Sequence, residues 1–499
     1  MLLSIIGIYA LREMICLINL YYYKKQGVKA YWYPFVGMGY LFTRAPGSKD
    51  TGDRIRKFIS DNKQEDIIAI NCSEVAPMLI LTGGETLREF YMKEIENTIK
   101  FSIAYPSSTF GLFFSNGPIV DEYRSLYSNF FNFDNIHRLS KQITLIVDQC
   151  FQEFKKNNFS KDKPKQLVSL DELTIYILLN IVDQILMGRP PNDKPIEVEA
   201  KSFGKEAIEY VDALFDAAFN VPNLLSFGYL NYLRLSPRSR KSDLLLKELE
   251  EDGFARFKER EAGTPSKSLN IMDMLVAHNR DRIQEGKPPL SPSEVAGNLL
   301  LFQLAGSDTS RGVSNNATRV MSQRQDVQDK LREFADRIFG SKAIDEVTYD
   351  DYNNEPILDT YFDEFMRLGS PFATMAVRKV IKDFKLGKVN VKKGTLFNIM
   401  GTFASSSRKF FEDGNQFDLS KHSKENLRST KFGGNLPFSS GRRICIGKEL
   451  GNIMVRNILL QMIWHFKVSE DPVETPNGIR DWKGFYQWKD LKLVFELRK

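Results

Sequence analysis

The sequence predicts a mainly α-helical chain with small β-sheets, an α+β arrangement, and three observations carry that expectation. Long apolar stretches have helical period or length: Leu170 to Gly188 is apolar nearly all round, and Lys448 to Phe466 repeats apolar residues every three to four positions. Strand-like runs are short and scattered, such as Ile67 to Asn71 and Leu491 to Leu497. Hydrophobic residues fill 42% of the 499 positions and aromatics 12%, with 37 Phe, ample for a large core.

Net charge is +6, from 69 basic and 63 acidic residues, a mild excess that suits an acidic protein partner or an anionic membrane surface. No block of basic residues points to nucleic acid. Cys16, Cys72, Cys150 and Cys445 are far apart with no CxxC pair, which argues against a disulfide scaffold or zinc site and for a reducing compartment. His137, His278, His422 and His465 are too few for a histidine metal cluster.

Taken in order, Met1 to Tyr23 is almost wholly apolar apart from Arg12 and Glu13. As a helix it reaches about 35 Å, against a bilayer core of roughly 30 Å. Its Leu and Ile residues contribute roughly −5 kcal/mol to insertion, and a central charge costs about 2.5 to 3.5. Adjacent residues project to different sides of a helix, so Arg12 and Glu13 are expected to pair poorly. Tyr21, Tyr22 and Tyr23 read as an interfacial belt, followed by Lys24 and Lys25 on the cytoplasmic side. The expectation is an uncleaved N-terminal anchor over 1–23, a basic and aromatic hinge over 24–46, and a catalytic domain over 47–499. A cleaved signal peptide is the competing reading, with no small-residue cleavage site standing out.

A helical stretch to about Asp61 precedes two short strands, Ile67 to Asn71 and Met78 to Thr82, and Thr86 to Glu96 resumes as helix. Phe101 to Asn116 is irregular and aromatic, with Phe110 and Phe113, and reads as core cover or the wall of a small-molecule pocket. The next helix carries Val120 and Arg124. From His137 to Arg189 two helices are separated by the charged loop Lys155 to Gln166. Phe203 to Leu235 is apolar and aromatic, explained equally by an interior core or a lipid-facing lid. Pro237 to Lys267 is strongly charged and reads as solvated.

Ser291-Pro292-Ser293-Glu294 gives an N-cap, a proline in the first turn and a capping-box acid. The helix it opens runs through Phe302 into Ala305-Gly306-Ser307-Asp308-Thr309-Ser310, where Ala305 and Thr309 share a face. Gly306 costs roughly 1 kcal/mol against Ala in a helix interior, which suggests a close approach or a kink. Glu364 and Arg367, three apart in the periodic run Ile357 to Leu368, are placed to pair. Ser370 to Thr374, including Phe372, reads as a pocket-lining turn, Arg378 starts a strand, and Gly387 to Leu396 reads as a hairpin. Cys445 sits in a glycine-flanked turn beside Arg442 and Arg443 at a helix N-terminus, where positive charge favours a thiolate. Gly441 and Gly447 would let a flat ligand approach the backbone. Phe466 to Val468 and Leu491 to Leu497 alternate as strands, and Phe485 marks a turn at a possible last pocket contact.

Phe438, Gly441, Arg443, Cys445 and Gly447 match the loop Phe-x-x-Gly-x-Arg-x-Cys-x-Gly, a coincidence on the order of one in ten thousand by chance. With the Ala305 to Ser310 stretch and the Glu364-x-x-Arg367 pair in the same order, the chain resembles the cytochrome P-450 superfamily of haem-thiolate monooxygenases over 33–499. The resemblance implies one mainly helical domain with a sheet-rich lobe near the N-terminus. It implies haem b with Cys445 as iron ligand, a thiolate that pushes electron density toward O–O cleavage. It implies Arg124 and Arg378 as propionate contacts, Thr309 beside the dioxygen being activated, and Asp308 as its proton relay. Phe110, Phe113, Phe302, Phe372 and Phe485 would line the substrate pocket. Two departures stand out: Val120 occupies a position where the family usually has Trp, and Lys421 or His422 stands for the arginine that normally joins Glu364 and Arg367.

The family also implies electrons from NADPH through a membrane-bound flavoprotein reductase, docked near Arg442, Lys448 and Lys431, and a lipophilic substrate. The expected setting is a monomer on the endoplasmic reticulum membrane, its catalytic domain facing the cytosol. Two alternatives are a reductase-independent haem-thiolate isomerase and a haem- or lipid-binding sensor without turnover.

Overall fold

A computed structural model gives the architecture. It describes the chain apart from residues 1, 35–36, 43–44, 47, 49–52, 63, 73–75, 83, 101–110, 189–236, 264–268, 354, 370–376, 400–415, 423–436, 476–478, 483–485, 490 and 499. The expected pocket residues Phe110, Phe372 and Phe485, the aromatic segment 203–235 and Lys431 lie outside the described residues.

The N-terminal part holds α1 (Leu2–Lys24), β1 (Lys29–Tyr31), α2 (Asp53–Asp61), β2 (Ile67–Asn71), β3 (Pro77–Leu81), α3 (Gly84–Glu89) and β4 (Thr98–Lys100). Helices then dominate: α4 (Gly111–Phe114), α5 (Pro118–Ser128), α6 (Phe133–Asn158), α7 (Leu170–Ile181, continued by a π-turn Val182–Leu186), α8 (Pro237–Ala262), α9 (Ile271–Gln284), α10 (Pro292–Gln323), α11 (Gln325–Phe339), α12 (Tyr349–Asn353) and α13 (Pro356–Gly369), with β5 (Lys165–Ser169) before α7. The remainder is β6 (Arg378–Val380), β7 (Phe384–Leu386), β8 (Val389–Val391), β9 (Leu396–Ile399), α14 (Lys448–His465), β10 (Phe466–Glu470), β11 (Ile479–Trp482), β12 (Tyr486–Lys489) and β13 (Lys492–Leu497).

Six strands form the sheet-rich lobe in the order β1-β2-β3-β9-β6-β4. Alternation along its strands feeds two separate cores: Ile67, Ala69, Leu79 and Leu81 face one side, Ile68, Ile70, Met78 and Ile80 the other. Burial on both faces explains why these runs read as continuously apolar rather than alternating. β1 lies within the segment read as a hinge and pairs in parallel with β2. The hairpin expected from Gly387 starts earlier, as β7 and β8, and β9 joins the large sheet instead.

The larger core is helical. α10 starts where the sequence places it, with Ser291 and Glu294 closing the capping box and Pro292 in the first turn. It crosses the domain in contact with α7, α8, α13 and α14. Two segments differ from expectation. The charged stretch from Pro237 is a helix whose Phe257 is fully buried, so α8 packs on α10 rather than standing in solvent. The charged loop before Leu170 contains β5, which pairs with β13 in a three-stranded sheet, β10-β13-β5. Of its residues only Val168 is buried, which leaves little apolar signal for a strand.

No helix among the described residues is long and apolar enough to cross a membrane. One side of α1 packs on the sheet lobe through Cys16, Leu20 and Tyr23. Arg12 and Glu13 do pair, contrary to expectation, because the domain holds both ends. Arg12 Nη2 donates to the Cys72 carbonyl at 3.1 Å, and Trp32 Nε1 donates to Glu13 Oε2 at 2.8 Å.

Candidate active site

The turn before α14 is shaped by its backbone. Gly441 has φ +66°, and a Cβ there would come within 3.1 Å of the Tyr91 carbonyl oxygen. The turn and the neighbouring chain both require glycine there. Ser439 also has positive φ, 65°, without being glycine. Cys445 N–H donates to the Phe438 carbonyl at 2.9 Å, and the Arg124 guanidinium donates to the Ile444 carbonyl, Nη1 at 3.3 Å. These bonds fix the cysteine on the wall of a cavity of about 270 Å³.

α10 also lines the cavity, contributing Phe302, Ala305, Gly306 and Thr309. Thr309 Oγ1 donates back to the Ala305 carbonyl at 2.7 Å, so its lone pairs stay available to the cavity. A Cβ on Gly306 would meet Val182 Cγ2 at 3.1 Å and Leu186 Cδ1 at 3.2 Å. The close approach inferred from this glycine is thus to the π-turn after α7. Asp308 is not among the cavity-lining residues: it is buried, with Arg311 Nη2 2.9 Å from its Oδ1. Arg311 also faces Asp171 at 3.5 Å, and Asn315 Nδ2 donates to Asp171 at 2.8 Å, tying α10 to α7.

Four cations line the same cavity: Lys100, Arg124, Arg378 and Arg443, with no acidic side chain lining it among the described residues. Arg378 is anchored by Nε to Thr98 Oγ1 at 2.6 Å and by Nη2 to the Ile95 and Thr98 carbonyls. Burial, with Arg443 nearby, lowers its pKa to about 10. Lys100 is held well below the usual ammonium range by burial and then by Arg443, Arg378 and Arg124. Such a set, crowded and out of bulk water, needs an anionic ligand. Lys100 was invisible to sequence reasoning, being a single lysine ahead of an aromatic stretch. Val120, where the family's Trp would stand, is buried in the helical core and does not line the cavity.

Cys445 opens onto this cavity rather than onto bulk solvent, with protein on its other sides. Burial pushes its thiol up, opposed by the Gly447 N–H, Arg124 and Lys100. Loop charge therefore does not by itself produce the thiolate expected from sequence; a bound metal would have to favour it. Away from the cavity, Arg367 Nε and Nη2 reach the two Glu364 oxygens at 2.6 and 2.7 Å, fully buried. Main chain completes this network: Arg367 donates to the Gln416 carbonyl at 2.8 Å, and Asp418 N–H donates to Glu364 Oε1 at 2.8 Å. The Lys421 side chain, the expected third partner, lies outside the described residues.

The family model of cytochrome P450 matches residues 36–492. The chain belongs to the cytochrome P450 family. It is 22% identical to mouse (Mus musculus) Cytochrome P450 3A16 over 404 residues, 78% of this chain and 76% of that protein. With Cavia porcellus Cytochrome P450 3A15 it shares 26% identity over 198 residues, 40% of this chain and only 39% of that protein's length. Its fold is similar to a structure titled retinoic acid bound cyanobacterial CYP120A1, with TM-score 0.71, 17% identity, and coverage of 94% of this chain and 99% of that one.

Family membership implies a haem cofactor, and the residues of this P450 fit one. A thiol, the Thr309 hydroxyl of α10 and four cations that suit the two carboxylates of a porphyrin all line one cavity. Phe113 and Phe302 line the cavity as expected for the substrate side.

Proposed function

We propose that this P450 is a haem-thiolate monooxygenase that oxidises a lipophilic small molecule with dioxygen and NADPH-derived electrons. The observation that carries the reading is Cys445 and Thr309 lining one largely apolar cavity together with four cations. Haem b, bound through Cys445, supplies the oxygen-activating chemistry; the chain supplies the rest. Arg124, Arg378, Arg443 and Lys100 hold the propionates, and Phe438 and the apolar walls exclude water, which strengthens every charge interaction inside. Thr309 presents its hydroxyl where a proton is needed. Asp308 relays protons toward it only when its pair with Arg311 opens, so Asp308→Asn should slow turnover by about a hundredfold or more.

Electrons come from a flavoprotein reductase on the face around Arg442 and Lys448; Lys431, the third expected contact, lies outside the described residues. Arg442 is exposed there, 3.5 Å from Glu96 and 3.4 Å from Asp121. Reversing these charges should raise the apparent KM for the reductase. None of the four cysteines is in a disulfide, and we place the catalytic domain on the cytosolic, reducing side of the endoplasmic reticulum membrane. The deciding measurement is the carbon monoxide difference spectrum of the reduced protein. A strongly red-shifted Soret band establishes thiolate ligation; its absence from folded, haem-loaded protein would sink the proposal. NADPH consumption coupled to product, with reductase and a lipophilic substrate, separates it from a reductase-independent isomerase and from a sensor.

A further inference from the structure

The first helix has two unlike faces. Glu13, Cys16, Leu20 and Tyr23 are buried against the sheet lobe, whereas Ile6, Ile8, Leu11, Met14, Leu17, Ile18 and Tyr21 are 43–68% exposed. At 100° per residue the buried four fall within an arc of about 80° and the exposed seven within about 200°. So wide an apolar stripe is what a helix turns toward a core, and this one faces outward.

The helix is also clasped along its length. Besides the Arg12, Glu13, Trp32 and Cys72 contacts, Tyr22 Oη donates to the Asn390 carbonyl at 3.1 Å, and Asn390 N–H donates to Gln26 Oε1 at 2.7 Å. Tyr23 Oη and Thr395 Oγ1 are 2.6 Å apart. A helix fastened this way cannot stand across a bilayer while its domain stays in water.

Asn390 belongs to the β7–β8 hairpin region, which brings exposed Lys382, Lys385, Lys388, Lys392 and Lys393 beside the end of α1, where Lys24 and Lys25 are exposed as well. Asp383 is the one acid between 379 and 393, and it is engaged by Lys392 Nζ at 3.1 Å and Lys393 N–H at 2.7 Å. Exposed Trp32 completes the aromatic edge with Tyr21.

We propose that α1, still docked on the sheet lobe, lies in the plane of an anionic lipid surface, its apolar stripe among the acyl chains and the hairpin lysines on the headgroups. The chemistry favours lipid over a second copy, since pairing two stripes would bring two lysine-rich rims together. This inference deepens the membrane placement above but is independent of the haem chemistry, so either can fail alone.

The test uses the full-length, haem-loaded chain. Sedimentation with vesicles of phosphatidylcholine alone is compared with vesicles in which a third of the lipid is phosphatidylserine. Anionic vesicles should bind at least tenfold more tightly, high salt should release the protein, and Lys385→Glu with Lys388→Glu should remove about tenfold of the binding. Leu17→Glu with Ile18→Glu should remove it from both vesicles without changing the visible haem spectrum. A protease-cleavable tag joined ahead of Met1 should be cut by protease added outside sealed vesicles. Protection of that tag until detergent is added means a spanning helix and overturns the proposal. Equal binding to both vesicles overturns it too, as does a Leu17/Ile18 variant that loses only self-association.

Discussion

Replacing Glu364 by Gln takes from the fully buried Arg367 guanidinium the carboxylate that its Nε and Nη2 meet. In the native pair two guanidinium nitrogens lie 2.6 and 2.7 Å from separate carboxylate oxygens, and Asp418 N–H adds a third bond to Oε1. Breaking a buried pair by removing one partner costs about 3–5 kcal/mol, against a total stability of about 5–15. With a urea slope of about 3 kcal/mol/M, the midpoint should fall by roughly 1–1.7 M. The assay is urea denaturation followed by the Soret band and by far-ultraviolet circular dichroism, because a chain this large need not lose both together. Glu364→Met combined with Arg367→Met should be less damaging than either single change, since the desolvation of both charges is removed together. Single-variant shifts under about 0.3 M, or a double variant as bad as the two singles added, would refute the reasoning.

Lys100→Met should speed haem transfer to an acceptor apoprotein by about ten- to hundredfold, the worth of one charged hydrogen bond, and Lys100→Arg should restore retention. At Ser439, the left-handed φ of 65° costs about 1 kcal/mol, and the side chain hydrogen-bonds with Tyr91. Ser439→Ala keeps the strain and loses the bond, so its melting temperature should drop, while Ser439→Gly should stay near that of the native chain. His465 is buried 3.3 Å from Asp148, and burial lowers its pKa. The unfolded chain then binds a proton that the native chain refuses, so stability is full above about pH 6.5 and falls as pH drops through that region. In His465→Gln the urea midpoint should lose that part of its decline between pH 7 and 5.5.

What could be read from sequence was whatever short-range chemistry decides. The cap at Ser291, the Glu364–Arg367 spacing and the Cys445 turn are local, and each lies where its residues dictate. Features made by distant chain were hidden. Lys100 joins the site only because β4 pairs with β6 and brings it beside Arg378. Gly306 announced a close approach or a kink but not its partner, because nothing local reveals Val182 and Leu186 opposite it. α8 read as solvated because its charges outnumber the few residues, such as Phe257, that decide its packing. Asp308 carries a family motif, yet its partner Arg311 is one turn on and draws it away from the cavity.

The three-stranded sheet has a consequence for how the chain is born. β13 is its middle strand, and Lys492 pairs with Ser169, roughly 320 residues earlier. At about 5–20 residues per second, β5 waits some 15–65 s after leaving the ribosome before its partner exists. Through that interval its backbone N–H and C=O groups are open to any other strand. The polar faces of Lys165, Gln166 and Ser169 suit such a wait, since a more apolar β5 would invite pairing with a neighbouring nascent chain. Emergence of β13, rather than synthesis of the core helices, is then the step that closes this corner of the fold.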